Sequence, residues 1–383
     1  MRNIKKLFSA VLISALFLNI LPLASAGSYI SDIATPSNLI LYSKPCPIEV
    51  RNFAINNFPV FLSESIMNGT LSIESESNSS SISLGSPFTI TSNSVETDVF
   101  YFPIFSGASI LGTFRVYLDG NKYVGIMSQF LSDELTALIG ETSISSPAHL
   151  YFDRDNLMMK KEGNHQLLIN SPIGDSPTNI DVQSDGLVVT SLNEDLQVIS
   201  SNSLPSFNEP VSDNTSLSTP TSPKYLSLNI IETQGSNSWC YAYCASTIIR
   251  FVKNYSDAPV AEGFMALALG RNPSPSDSLN ATQVINTAVG YYDLYPSYTA
   301  TPDISQSVSD LYNDVPVFLR CSDSAGGHHA IVLRGYNPTS VTYSIWNPWH
   351  SYYETMSENL TYITGNRTFI WVGTINGWWD PLG

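Results

Sequence analysis

Between Asn202 and Pro223 the chain runs through Ser, Asn, Thr and Pro, with Pro205, Pro210, Pro220 and Pro223 and no apolar periodicity. Such a stretch offers a core nothing to bury and reads as an exposed linker over residues 201–224. The chain must therefore be built in two parts. With 43% hydrophobic residues in 383, each part has enough apolar material for its own core without disulfide staples.

The first part, residues 27–200, alternates short apolar runs with Ser, Asn, Asp and Gly clusters. Val99 to Phe105, Thr113 to Leu118, an Asp119-Gly120 turn and Tyr123 to Met127 predict antiparallel hairpins, and so a small β-rich domain. A short helix is expected over Ser132–Leu138, with Ser132 as cap and Glu134 in the first turn. Ahead of this part stand Arg2, Lys5 and Lys6, an apolar run from Leu7 to Leu23, and Ala24-Ser25-Ala26. That order is a secretory signal peptide, residues 1–26, and predicts an exported protein. No later segment has about 18 uninterrupted apolar residues, so no stable membrane anchor is expected.

The second part, residues 225–383, reads first as helices and then as strands. Tyr241, Cys244, Ala245, Ile248, Ile249 and Val252 recur at helical spacing and predict a helix over Cys240–Lys253, with Asn237 or Ser238 placed to cap it. Weaker helical patterns follow Asn280 and Thr301. Strands are expected at Val315–Arg320, Ala330–Tyr336, Val341–Trp346 and Thr368–Thr374. The fold class is therefore α+β.

Charge narrows the function. A formal net charge of −16 with only 13% charged residues gives phosphate no clustered Lys or Arg to bind, which argues against nucleic acid and anionic membranes as partners. The four cysteines, Cys46, Cys240, Cys244 and Cys321, are too few and scattered for a disulfide framework. Cys240 and Cys244 share a helical face, but no Cys-x-x-Cys or His pair accompanies them, so neither a metal nor another cofactor is expected.

Cys240 opens the best-defined helix, where unpaired amides favour thiolate over thiol. Activating such a thiol takes a histidine, a group that orients the histidine, and donors for the oxyanion of a tetrahedral intermediate. His329 in Gly-Gly-His-His-Ala-Ile-Val-Leu, Asn347 in Ile-Trp-Asn-Pro-Trp, and Gln234 six residues before the cysteine are the candidates. Taken singly, each has an ordinary reading as a buried cysteine, a core histidine, a turn asparagine or a surface glutamine. His328 lies beside His329, and strand alternation lets only one of them face the site; His329 directly precedes the apolar strand.

These residues resemble the papain-like cysteine peptidases. The resemblance covers residues 225–383 and rests on Gln234, Trp239-Cys240-Tyr241-Ala242, His329-Ala330 opening a strand, and Asn347-x-Trp349. Glu232-Thr233-Gln234-Gly235 and Ile345-Trp346-Asn347-Pro348-Trp349 look most like the staphopain-type secreted peptidases. Tyr241 stands where tryptophan is common. The resemblance implies Cys240 as nucleophile, His329 as general base and acid, Asn347 as orienter, Gln234 as oxyanion donor, and Trp349 as a shield over the His–Asn bond. It also implies a helical subdomain facing a β-barrel-like one, and protein or peptide substrates. Cys244 is expected in the core, and spacing does not decide whether it pairs with Cys321.

By the same resemblance the first part would be a β-rich prodomain that inhibits the second and is cut away in the linker. A permanent adhesion or targeting domain is the alternative. Two other activities stay open: a cysteine amidase or peptide-processing enzyme acting on cell wall or leader peptides, and a non-catalytic papain-like binding protein. Spacing does not reveal the substrate preference.

Overall fold

Val50, Ala54, Phe58, Leu62 and Ile66 recur every fourth residue, and in the computed structural model they form the buried stripe of a 20-residue helix, α1 (Ile48–Met67). The structure describes residues 39–73, 81–92, 97–140, 146–171, 176–178, 180–183, 185–200, 221–323, 326–357, 361–364 and 366–380. The signal-peptide reading lies outside the described residues, as does nearly all of the linker. Helix α1 corrects the picture of a simply β-rich first part. Asn56, Asn57 and the internal Pro59 read as breakers in sequence, and burial of the stripe overrides them.

Strands β1 (Ile40–Ser43), β2 (Ser81–Leu84) and β3 (Phe88–Thr89) precede the expected meander, which is present as β4 (Phe100–Ser106), β5 (Ser109–Asp119) and β6 (Lys122–Ser128). Asp119 pairs with Lys122 across a turn where Gly120 takes φ +58°, a conformation that costs glycine little. Helix α2 (Ser132–Gly140) takes Ser132 as its first residue rather than as the expected cap, the Leu131 carbonyl accepting the Leu135 N–H at 3.0 Å. Strands β7 (His149–Asp153), β8 (Asn156–Lys161) and β9 (Asn164–Ile169) form a separate sheet, while β10 (Val188–Ser191) pairs with β1 and β11 (Gln197–Ser200) with β2. Alternation sorts the two faces of β5. Phe114 and Val116 pack with Phe58, Phe61 and Leu62 of α1, leaving Arg115 and Tyr117 for the opposite face.

The second part opens with β12 (Lys224–Tyr225) and continues into α3 (Cys240–Val252), α4 (Ala261–Leu269), α5 (Ala281–Tyr292), β13 (Ser297–Thr299) and α6 (Ile304–Tyr312). Helix α3 matches its expected range and is buried from Cys240 through Arg250. Its N-cap is Trp239 with no side-chain cap, which corrects the reading of Asn237 or Ser238; Asn237 instead accepts the Trp239 N–H at 3.2 Å. Asn280 caps α5 in a reciprocal box with Gln283. The strands follow: β14 (Val317–Asp323), β15 (His328–Asn337), β16 (Thr342–Trp346), β17 (Tyr353–Ser357), β18 (Thr361–Thr364) and β19 (Arg367–Asn376). They run antiparallel in the order β17-β16-β15-β14-β19-β13, with β18 on β19 and β12 on β15. The chain is thus mixed α+β, as expected.

One face of β15 presents Ala330 and Val332 to the helices, in a core with Cys244, Ile248 and Phe264. The other face presents Ile331 and Leu333 to a second core. Tyr117, Val124 and Ile126 of the first part complete that second core. The two parts also share a sheet, because β6 pairs with β17 through Met127–Thr355 and Ile126–Met356. The described residues accordingly form one compact unit. Among the described residues no helix is long and apolar enough to cross a membrane.

Candidate active site

The loop that leads into α3 is pinned on both sides. The Gln234 N–H donates to the Pro348 carbonyl at 2.7 Å, and the Ser238 N–H to the Pro275 carbonyl at 2.8 Å. The Trp239 indole N–H reaches the Ser274 carbonyl at 3.0 Å. The first of these bonds ties the glutamine loop directly to the Asn347-Pro348-Trp349 turn, so two segments more than a hundred residues apart are held in register. Gln234 is buried; its Nε2 gives one hydrogen to the Asn237 carbonyl at 2.5 Å, and its Oε1 has no partner. The second Nε2 hydrogen remains for another acceptor.

Cys240 is the first residue of α3 and is 7% exposed. Burial pushes its thiol up to about 11, against the Ala330, Tyr241 and Cys240 backbone N–H groups, which favour the thiolate. The Ala330 amide belongs to the residue after His329, so the thiol sits against the start of β15. Desolvation thus outweighs the helix-terminus amides at the Cys240 thiol. All four cysteines are free thiols, and Cys244 is fully buried in the helical core. Cys244 and Cys321 are not bonded to each other.

His329 and Asn347 come together. His329 Nε2 and Asn347 Oδ1 lie 2.8 Å apart, and Oδ1 also accepts the Trp349 backbone N–H at 3.1 Å. The amide N–H of Trp349 can only donate, so the atom facing it must be oxygen, and an oxygen facing Nε2 requires that nitrogen to carry the proton. The imidazole is thus the Nε2–H tautomer, with its Nδ1 lone pair free to act as a base. The Trp349 ring stacks on the imidazole at 4.1 Å between centroids, and Phe369 lies at 5.0 Å, so aromatic surface covers the His–Asn bond. His328 is exposed, the alternation expected for adjacent strand residues.

No protein-family model matches this chain, and no curated protein matches it. The geometry alone must speak for the site.

Three residues behind Asn347 were not singled out from the sequence. Asn347 Nδ2 donates to the Tyr362 hydroxyl at 2.8 Å, Tyr362 donates to Glu354 Oε2, and Arg115 of the first part donates to Glu354 Oε1. Glu354 and Arg115 are both buried. Beside this chain a cavity of about 100 Å³ opens at the seam between the parts, walled by Phe130, Phe152 and Leu157 on one side and Trp349, His350 and Arg367 on the other. Among the described residues no three side chains of the metal-binding types converge.

Three histidines are held neutral by burial. His329 is pushed down to about 3, with the Asn347 bond opposing and His350 and Arg367 adding to the effect. His149 and His350 are each pushed down to about 4. A histidine whose folded value lies below its unfolded value of about 6.5 binds its proton more readily in the unfolded chain. Stability is therefore expected to be full above pH 6.5 and to fall as pH drops from 6.5 towards 4, by up to about 1.4 kcal/mol per unit for each group. Urea midpoints between pH 7.5 and 4.5 check this; a midpoint constant across that window contradicts it.

Proposed function

We propose that the chain is a secreted papain-like cysteine endopeptidase of staphopain type, made as a zymogen. The observation that carries the reading is the tautomer of His329: a proton on Nε2, held by Asn347 under Trp349, leaves Nδ1 as the base for a thiol packed against the start of the same strand. In this reading Nδ1 takes the Cys240 proton, and the thiolate attacks the scissile carbonyl carbon. The Cys240 N–H and the free Nε2 hydrogen of Gln234 meet the oxyanion. The imidazolium then protonates the departing amine, and water releases the acyl group by the same route in reverse.

Casein hydrolysed under reducing conditions, and protected by prior alkylation of the enzyme, is the expected result. Intact casein beside cleaved peptidoglycan would favour the amidase alternative instead.

One observation favours a second reading of the first part. Its sheet continues into the second part and its Arg115 is buried against Glu354, as in a permanent domain rather than a removable cover. N-terminal sequencing of the active secreted form decides between them. A start within residues 201–224 supports the zymogen, and a start at Gly27 supports the permanent domain.

A further inference from the structure

The hydrogen bonds behind His329 all point one way. His329 Nε2–H donates to Asn347, Asn347 Nδ2 to Tyr362, and the Tyr362 hydroxyl to Glu354, so every dipole has its negative end towards the imidazole and the row ends on a carboxylate. Aligned bonds polarise one another, more so where water is excluded. Asn347 and Glu354 are fully buried, and Tyr362 is 1% exposed. Such a row stabilises a positive charge that develops on the ring. An asparagine alone supplies only its own amide dipole, whereas here its free Nδ2 hydrogen is committed and the flip that would turn nitrogen towards His329 is blocked from both ends.

The carboxylate is held in its turn. Arg115 donates to Glu354 and, through Nη1, to the Ile363 carbonyl at 2.6 Å, which fixes β18 and so the Tyr362 ring. Besides Arg115, the charged and titratable groups that act on this cluster include Tyr101, Tyr117, Tyr352 and His350, while His350 and Arg367 act on His329 itself. The Asn347 side-chain amide is backed by Tyr362 and Glu354, whereas His350 meets Asn347 through its backbone N–H, at the Asn347 carbonyl.

We infer that Tyr362 and Glu354 are positioning residues for the His329–Asn347 pair, and that the first part of the chain, through Arg115, holds them in place. This rests on the peptidase reading for its consequence in catalysis, but the hydrogen-bond row can be tested without any activity. In the full chain carrying Cys240→Ala, the ring Nε2–H of His329 is expected as a downfield, slowly exchanging proton in a ¹H–¹⁵N spectrum. Adding Tyr362→Phe is expected to accelerate its exchange at least tenfold and move it upfield. The amide resonances of β15 should stay in place. An unchanged ring proton overturns the inference.

Where Tyr362→Phe does not fold, the pair Arg115→Met with Glu354→Gln keeps an acceptor for Tyr362 while removing the charge. It is expected to move the ring proton upfield by a smaller amount, and no movement again overturns the inference. In the catalytically intact chain, Tyr362→Phe is expected to lower kcat about tenfold with KM held, the effect of losing one hydrogen bond's worth of orientation. If the matured chain cleaves no casein, the peptidase reading fails while the spectroscopic result stands by itself.

Discussion

Replacing Cys240 with alanine is expected to abolish peptide-bond hydrolysis and labelling by thiol reagents while leaving the fold in place. The sulfur is the only proposed group that forms a bond to substrate, and an alanine methyl has neither lone pair nor proton to exchange. By analogy with nucleophile deletions in other covalent hydrolases, kcat should fall by about 10⁴-fold or more, leaving at most what the oxyanion donors and binding supply. The structural cost is small. The thiol makes no disulfide, and losing one buried heavy atom at the start of α3 should cost about 1 kcal/mol. Fluorogenic peptide hydrolysis, iodoacetamide labelling and circular dichroism on the same sample separate the two effects. Hydrolysis retained with an intact spectrum would remove Cys240 from the mechanism; hydrolysis lost with the fold would leave its role open to the labelling result.

The ends of the site were legible in the sequence and its support was not. Cys240, His329, Asn347 and Gln234 could be singled out because each is a residue type that the chemistry needs, in an order that such sites use. Helix α3 could be read from its apolar period. Helix α4 could not, because Phe264-Met265-Ala266-Leu267-Ala268-Leu269 is apolar on every side and offers no period to follow. Strand β17 reads as polar, Tyr-Glu-Thr-Met-Ser, for a related reason. Its Glu354 and Thr355 are buried against the first part, where Ser65 and Asn68 donate to the Thr355 hydroxyl at 3.0 and 2.8 Å. A buried polar residue looks like a surface residue until its partner is known, and Arg115 lies 239 positions from Glu354. The desolvation that raises the Cys240 thiol was out of reach for the same reason, since the helix terminus is local while burial is a property of the packed whole.

The seam between the parts is thus polar where it approaches the site and apolar around it. Glu64 of α1 accepts from Tyr225 and Asn337, and Arg334 donates to the Leu226 carbonyl at 2.6 Å and to the Asn68 carbonyl at 2.9 Å. The Arg334 guanidinium also lies 3.6 Å over the Tyr353 ring. These bonds bind the end of α1, the opening of the second part and the middle of β15 to one another. Buried polar networks of this kind add little net stability when complete but cost heavily when one member is removed. A seam held this way resists gradual loosening.

Arg115→Met should therefore give the largest loss of stability of any single change at the seam. It leaves the Glu354 carboxylate buried with only the Tyr362 hydroxyl as partner and frees the Ile363 carbonyl. Removing one member of a buried ion pair typically costs about 3–5 kcal/mol, most of it the cost of the stranded charge rather than the worth of the pair. The double change Arg115→Met with Glu354→Gln removes both charges and should restore most of that loss, because the introduced amide still offers Tyr362 an acceptor and methionine fills the arginine's apolar volume. Arg115 Nε has no partner in the native seam, so its removal carries no further penalty. Urea midpoints for the parent, the two single variants and the double variant close a cycle. A coupling of about 2 kcal/mol or more is expected, whereas additive losses would mean that Arg115 and Glu354 are stabilised separately. In that case the first part would grip β18 through the Ile363 carbonyl and through Tyr117 and Asp119 on Thr361, and the carboxylate behind Asn347 would belong wholly to the second part.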